Sequence, residues 1–237
     1  MLVLRNKLII ITVFAISMGL LESAVVIYLR EIMYPEGFKF PLAPIHPHLV
    51  LTEILREAST LGMLVCIGLL AAKSFSQRFA WFVYSFAIWD IFYYVFLWLL
   101  LGWPESLMTW DVLFLIPATW TGPVITPLLI TLLILLLSAA ILVNGERGKN
   151  TRLWPLEWAG LIAGSVIVVV AFITDYMKHM LASFSFGELL NISDPRLMEA
   201  AQEYVPARFP WLLFTVGFLV ILYAIIHYIL RLNKQRR

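Results

Sequence analysis

The chain has 237 residues, 62% of them hydrophobic and 14% charged, with a net charge of +2. A soluble domain carries about 25% charged residues, so this composition, with a mean hydropathy of +0.90, excludes an ordinary soluble protein. Nothing supports nucleic-acid binding, because the cations form short flanks to apolar runs and no continuous patch. The lone cysteine, Cys66, excludes an internal disulfide and any Cys-based zinc site.

An apolar helix of about 20 residues crosses about 30 Å of hydrocarbon, and six such runs occur. The first spans about 8–29 and is followed by Arg30-Glu31 with no Ala-x-Ala site, so it reads as a retained span and not a signal peptide. Gly19 and Ser23, four apart, favour close helix packing. Glu22 between them lies about 22 Å from Lys7 at 1.5 Å per residue. Residues 30–48 are rich in proline, read as a stiff extended connection, and hold His46 and His48.

The second span, about 49–72, is charged at one end only. Glu53 and Glu57 share a face, and Glu53 and Arg56 are spaced to pair. The third, about 79–101, contains Trp89-Asp90-Ile91-Phe92-Tyr93-Tyr94. Asp90 falls near its middle, where a carboxylate costs on the order of 3 kcal/mol, so it must face protein or water. Residues 103–123 hold Trp103, Trp110, Trp120, Asp111 and three prolines around an apolar stretch too short to span, and read as an interfacial or re-entrant segment.

The fourth span, about 125–143, has no ionisable residue and reads as a lipid-exposed helix or a scaffold. The fifth, about 158–176, opens on Gly160-x3-Gly164, a close-packing pattern, and runs into Asp175 and His179, one turn apart. Residues 198–204 read as a short surface helix. The sixth span is about 209–230, followed by a basic tail. The expected fold is therefore all-α: one membrane domain, 1–237, of six transmembrane helices with Pro/Trp-rich extracytoplasmic connecting segments.

Six spans put the N-terminus, residues 73–78, residues 144–155 and the C-terminus on one side. That side carries eleven Lys/Arg (Arg5, Lys7, Lys73, Arg78, Arg147, Lys149, Arg152, Arg231, Lys234, Arg236, Arg237) against six on the other (Arg30, Lys39, Arg56, Lys178, Arg196, Arg208). The bias predicts a multi-pass protein of the plasma (inner) membrane, N-in and C-in.

With that orientation the ionisable residues of the spans crowd the outer half: Glu22, Glu57 and Asp90 toward the midplane, and Glu53, Arg56, Asp175 and His179 at the rim. The inner half is expected to hold essentially none apart from His227. Glu22, Glu53, Arg56, Glu57, Asp90, Tyr93 and Tyr94 are the candidate ligand-binding residues of an outward-facing polar pocket. The pocket would take a cation or a polar small molecule, and a proton-coupled transporter is one outcome. Glu22 and Glu57 are also placed to share Arg56 as structural glue. His46, His48, Asp175 and His179 are the candidate metal ligands, and a divalent metal is the candidate cofactor. His227 lacks a second histidine on a facing inner turn, which argues against haem.

Two alternatives stay open: a membrane-embedded enzyme acting on a lipid or lipid-linked substrate at the outer leaflet, and a small integral subunit of a larger complex. The expected partners are the bilayer, a small-molecule or ion ligand, and other membrane proteins or further copies of the chain. There is no phosphate-binding glycine loop, HExxH, GxSxG, arginine ladder or TVGYG-like filter. Gly19 through Arg30, Glu53 through Glu57, and Trp89 through Trp120 with its WDIFYY, GWPESL and WDVLFLIP stretches resemble bacterial polytopic membrane proteins without an assigned function. The resemblance covers roughly the first four spans and implies no activity.

Overall fold

The structure, a computed structural model, describes residues 2–43, 47–116, 118–190 and 195–234. Three helices come first: α1 (Leu2–Met33), α2 (Pro47–Ala71) and α3 (Phe75–Leu101). A hairpin of β1 (Trp110–Phe114) and β2 (Trp120–Pro123) follows, then α4 (Ile125–Glu146), α5 (Pro155–Leu181), the short α6 (Pro195–Gln202) and α7 (Trp211–Lys234). All the helices except α6 are long and apolar enough to cross a membrane.

The spans outrun their hydropathic cores because polar caps extend them. Ser74 caps α3, its hydroxyl accepting from the Gln77 amide, so the polar turn through Arg78 is helical. Pro155 and Glu157 start α5 three residues before its apolar run, with Glu157 accepting from the Trp154 amide at 2.7 Å.

Helix α3 packs against α1, α2 and α4, while α4 also packs on α7 and α7 on α5. The fourth helix is therefore a scaffold joining two halves. Its Leu133, Leu137, Ile141 and Leu142 belong to the main core, which runs through Trp81, Phe172 and Ile225. The close-packing pattern in α5 meets α7 backbone to backbone. A Cβ on Gly164 would lie 2.9 Å from the Gly217 carbonyl oxygen, and one on Gly217 would lie 2.9 Å from that of Gly164. Gly19 likewise admits α3, where a Cβ would sit 3.1 Å from the Trp89 carbonyl oxygen, and the Ser23 hydroxyl donates to the Tyr93 carbonyl at 3.0 Å.

Both termini reach one end of the bundle, called here the termini side. There the Lys7 ammonium donates to the Ala71 carbonyl at 2.6 Å, and that of Lys149 to the Leu232 carbonyl at 2.9 Å. The opposite end carries the hairpin. The segment expected to be interfacial or re-entrant forms an antiparallel ladder pairing Trp110 with Pro123 and Val112 with Thr121. Pairing satisfies its backbone groups internally, which a short irregular segment beside lipid must achieve. Thr109 and Leu107 carbonyls accept from the Val124 and Ile125 amides and tie the hairpin to the start of α4.

Candidate functional site

Under the hairpin lie two charged groups on α1, α2 and β1. In the first, Arg30 at the end of α1 donates from Nη2 to Asp111 Oδ1 at 3.1 Å, and Tyr94 donates to Asp111 Oδ2 at 3.2 Å. The guanidinium is held between the rings of Trp103, 3.8 Å from its centroid, and Phe38, at 4.3 Å. Arg30 Nη1 is buried with no hydrogen-bond partner among the described residues. Burial pushes the Asp111 carboxyl up to about 6, against the opposing pull of Arg30, of the Tyr94 hydroxyl and of the Val112 amide.

In the second group Arg56 bridges two carboxylates. One guanidinium nitrogen donates to Glu22 across from α1, and Nε donates to Glu53 Oε2 at 2.8 Å on its own helix. Glu57 does not share Arg56. It is turned to the hairpin, where it accepts from the Leu115 amide at 3.0 Å. The sharing expected of Glu22 and Glu57 thus falls to Glu22 and Glu53, because Glu57 projects from the next face of α2 toward an unpaired backbone donor just past β1.

Tyr93 stands between the groups, within electrostatic reach of Asp111, Arg30, Glu22 and Arg56. Its hydroxyl makes no hydrogen bond to any described residue, and its ring rests edge-on against Tyr94. Asp90 leaves this assembly: it accepts from Thr131 Oγ1 on α4 at 2.7 Å. Glu22, Glu57 and Asp90 do share a depth. Each is ten or eleven residues from the hairpin-side end of its helix, about 15–17 Å at 1.5 Å per residue. They share no hydrogen-bond partner, so Asp90 contributes from the α4 side. Toward the termini, Met18, Leu64 and Trp89 with Phe14, Phe82 and Phe86 form an apolar layer.

Of the four candidate metal ligands, His46 lies outside the described residues. His48 is exposed in the first turn of α2. Asp175 accepts from the Tyr204 hydroxyl and the Ala207 amide, both at 2.9 Å, and from the Arg208 amide at 3.3 Å. His179 Nε2 lies 2.8 Å from the Ala200 carbonyl. His179 therefore anchors α6, and Asp175 the segment after it, onto α5, and burial raises the Tyr204 hydroxyl pKa there. Among the described residues no three His, Cys, Asp or Glu side chains form a group able to hold a metal ion.

The half of the bundle on the termini side is not free of carboxylates, contrary to the sequence expectation. Glu157 is 1% exposed. Arg231 donates to both its oxygens at 2.7 Å, His227 Nδ1 is 3.2 Å from Oε1, and the Trp154 amide caps Oε2. Its signal was present: proline at the first helical position with Glu two residues on, and His227 and Arg231 one turn apart on the last span. Arg30 and Asp111 do not stand out as site residues in the sequence, since each looks like a loop charge until the hairpin folds over α1.

Scanning protein-family models and searching curated proteins and solved structures found no match to this chain.

Proposed function

We propose that this chain is an inner-membrane protein, termini in the cytoplasm, that binds the cationic group of a small solute, or a simple cation, at the hairpin-side cluster. One observation carries the reading. Four carboxylates stand against two guanidiniums: Glu22 and Glu53 take Arg56, Asp111 takes Arg30, and Glu57 accepts only from a backbone amide, an excess of two negative charges when all four are ionised. Within a membrane such charges need a counter-ion or a proton. A cation entering from the hairpin side supplies the first, and protons hold the site in its absence. Tyr93, whose hydroxyl has no hydrogen-bond partner among the described residues, adds a group for orientation. Binding is then linked to proton release, and uptake would further require the layer at Met18, Leu64 and Trp89 to part.

The test uses purified protein in nanodiscs, following tryptophan fluorescence while alkali, alkaline-earth and small alkylammonium salts are titrated at constant ionic strength. A saturable response, tighter at higher pH, is expected for at least one cation class. Glu22→Gln and Glu57→Gln should each weaken it about tenfold or more, as expected for loss of a charged hydrogen-bond acceptor. Glu36→Gln, an exposed carboxylate on the same side, should leave it unchanged. No saturable response in the unmodified protein, or equal affinity in all three variants, would overturn the reading.

A further inference from the structure

On the termini side, at the opposite end from the carboxylate cluster, a cavity of about 730 Å3 opens between the first turn of α3 and the segment leading into α5. Lys73, Lys149 and Arg152 line it, with Ser74, Gln77 and Asn150 among its polar lining and no carboxylate. Two of the three cations are uncommitted. Lys73 and Arg152 are exposed, and neither the ammonium nor the guanidinium pairs with a described residue. Three other cations of this side are engaged: Lys7 caps α2, Arg78 donates to the Ala72 carbonyl at 3.0 Å, and Arg231 is taken by Glu157. The first turns of α3 and α5 both line the cavity and add partial positive charge. The carboxylate in the first turn of α5, Glu157, is engaged by Arg231 and His227. An apolar wall completes the shape, formed by Phe75, 71% exposed, with its ring 5.8 Å from that of Trp158.

We propose that this cavity binds a phosphate-bearing anion. A cationic pocket with polar hydroxyl and amide groups, no competing carboxylate and an aromatic wall suits a phosphate attached to an organic body. Topology alone explains the presence of cations on this side. It does not explain the gathering of three of them around one cavity whose lining holds no carboxylate. The phosphate has two possible sources, a phospholipid headgroup from the adjoining leaflet or a soluble phosphate.

Both sources are tested on the full chain in detergent micelles. Native mass spectrometry compares retention of phosphatidylglycerol and phosphatidylcholine, and thermal unfolding is followed with inorganic pyrophosphate against chloride at matched ionic strength. Lys73→Gln with Arg152→Gln should reduce whichever binding is seen by about 25-fold, from about 1 kcal/mol for each cation removed. The charge-preserving pair Lys73→Arg with Arg152→Lys should keep it, as should Lys234→Gln outside the cavity. Selective phosphatidylglycerol retention lost in the Gln pair supports the lipid source. Pyrophosphate stabilisation lost in that pair supports the soluble one. Equal loss in Lys234→Gln, or no preference for either phosphate over its control, overturns the site. Should the Gln pair not fold, binding by the unmodified protein that is insensitive to salt between about 50 and 500 mM overturns it as well.

Discussion

The two charged clusters of this bundle are built from the same side chains and finished differently. Glu157 on the termini side has every oxygen answered: two guanidinium hydrogens, an imidazole and a helix-capping amide. The hairpin-side cluster has carboxylates in excess and, among the described residues, no hydrogen-bond partner for one buried guanidinium nitrogen or for the Tyr93 hydroxyl. A saturated polar network holds a structure in register, whereas an unsaturated one leaves donors and acceptors for something else. The first is a clasp between α5 and α7, and the second has the make-up of a binding site.

The largest effect should come from opening the clasp. Glu157→Ala leaves Arg231, whose side chain is 10% exposed, without its counter-ion, and should lower stability by about 3–5 kcal/mol. Denaturant titration in mixed micelles measures it, and a loss below about 1 kcal/mol would show that the saturated network is not what binds α7 to α5. Next, Gly217→Ala puts a methyl 2.9 Å from the Gly164 carbonyl oxygen and 2.8 Å from Val168 Cγ2, so overpacking of about 1–3 kcal/mol is expected. It should loosen the same helix pair while leaving hairpin-side binding intact.

Asp111 gives the comparison a pH axis. Its carboxyl is raised from 3.8 to about 6 in the folded chain, with burial the largest cause. A raised carboxyl means that folding favours the protonated form. Its stabilising contribution is complete below about pH 3.8 and is lost as pH rises through about 6. The unfolding midpoint should therefore fall between about pH 4 and pH 6. Asp111→Asn, although less stable overall because Arg30 loses its partner, should flatten that slope; an unchanged slope would remove Asp111 as the titrating group. The smallest effect belongs to Thr131→Val, which takes one hydrogen bond from Asp90 and should cost about 1 kcal/mol. A shift in cation affinity in that variant would join the α4 side to the binding cluster.

Much of the architecture was legible in the chain because hydropathy and helix length are local properties. Six spans, the Gly160/Gly164 contact and the Glu53–Arg56 pair all follow from spacing along one helix. The hairpin was not legible: Trp110 to Pro123 carries aromatic residues that suit an interface equally well, and its ladder needs two segments in register. Glu57 was found as a polar residue but not with its partner, since the donor is a backbone amide at Leu115 and leaves no mark in the sequence. Thr131 carries no sequence signal, because a hydroxyl inside an apolar run does not announce the carboxylate across from it. Glu157 is hidden for the opposite reason: as a helix-starting residue it looks like an ordinary cap.

Equilibrium dialysis of a radiolabelled cation, chosen from the fluorescence titration, compares the clusters most directly. Glu57→Gln and Glu157→Gln are measured beside the unmodified protein, at one pH and in one lipid. If the unsaturated cluster is the site, Glu57→Gln removes saturable binding and Glu157→Gln retains it. Binding lost equally in both variants, or absent from the unmodified protein, would mean that the hairpin-side charges only hold the bundle together.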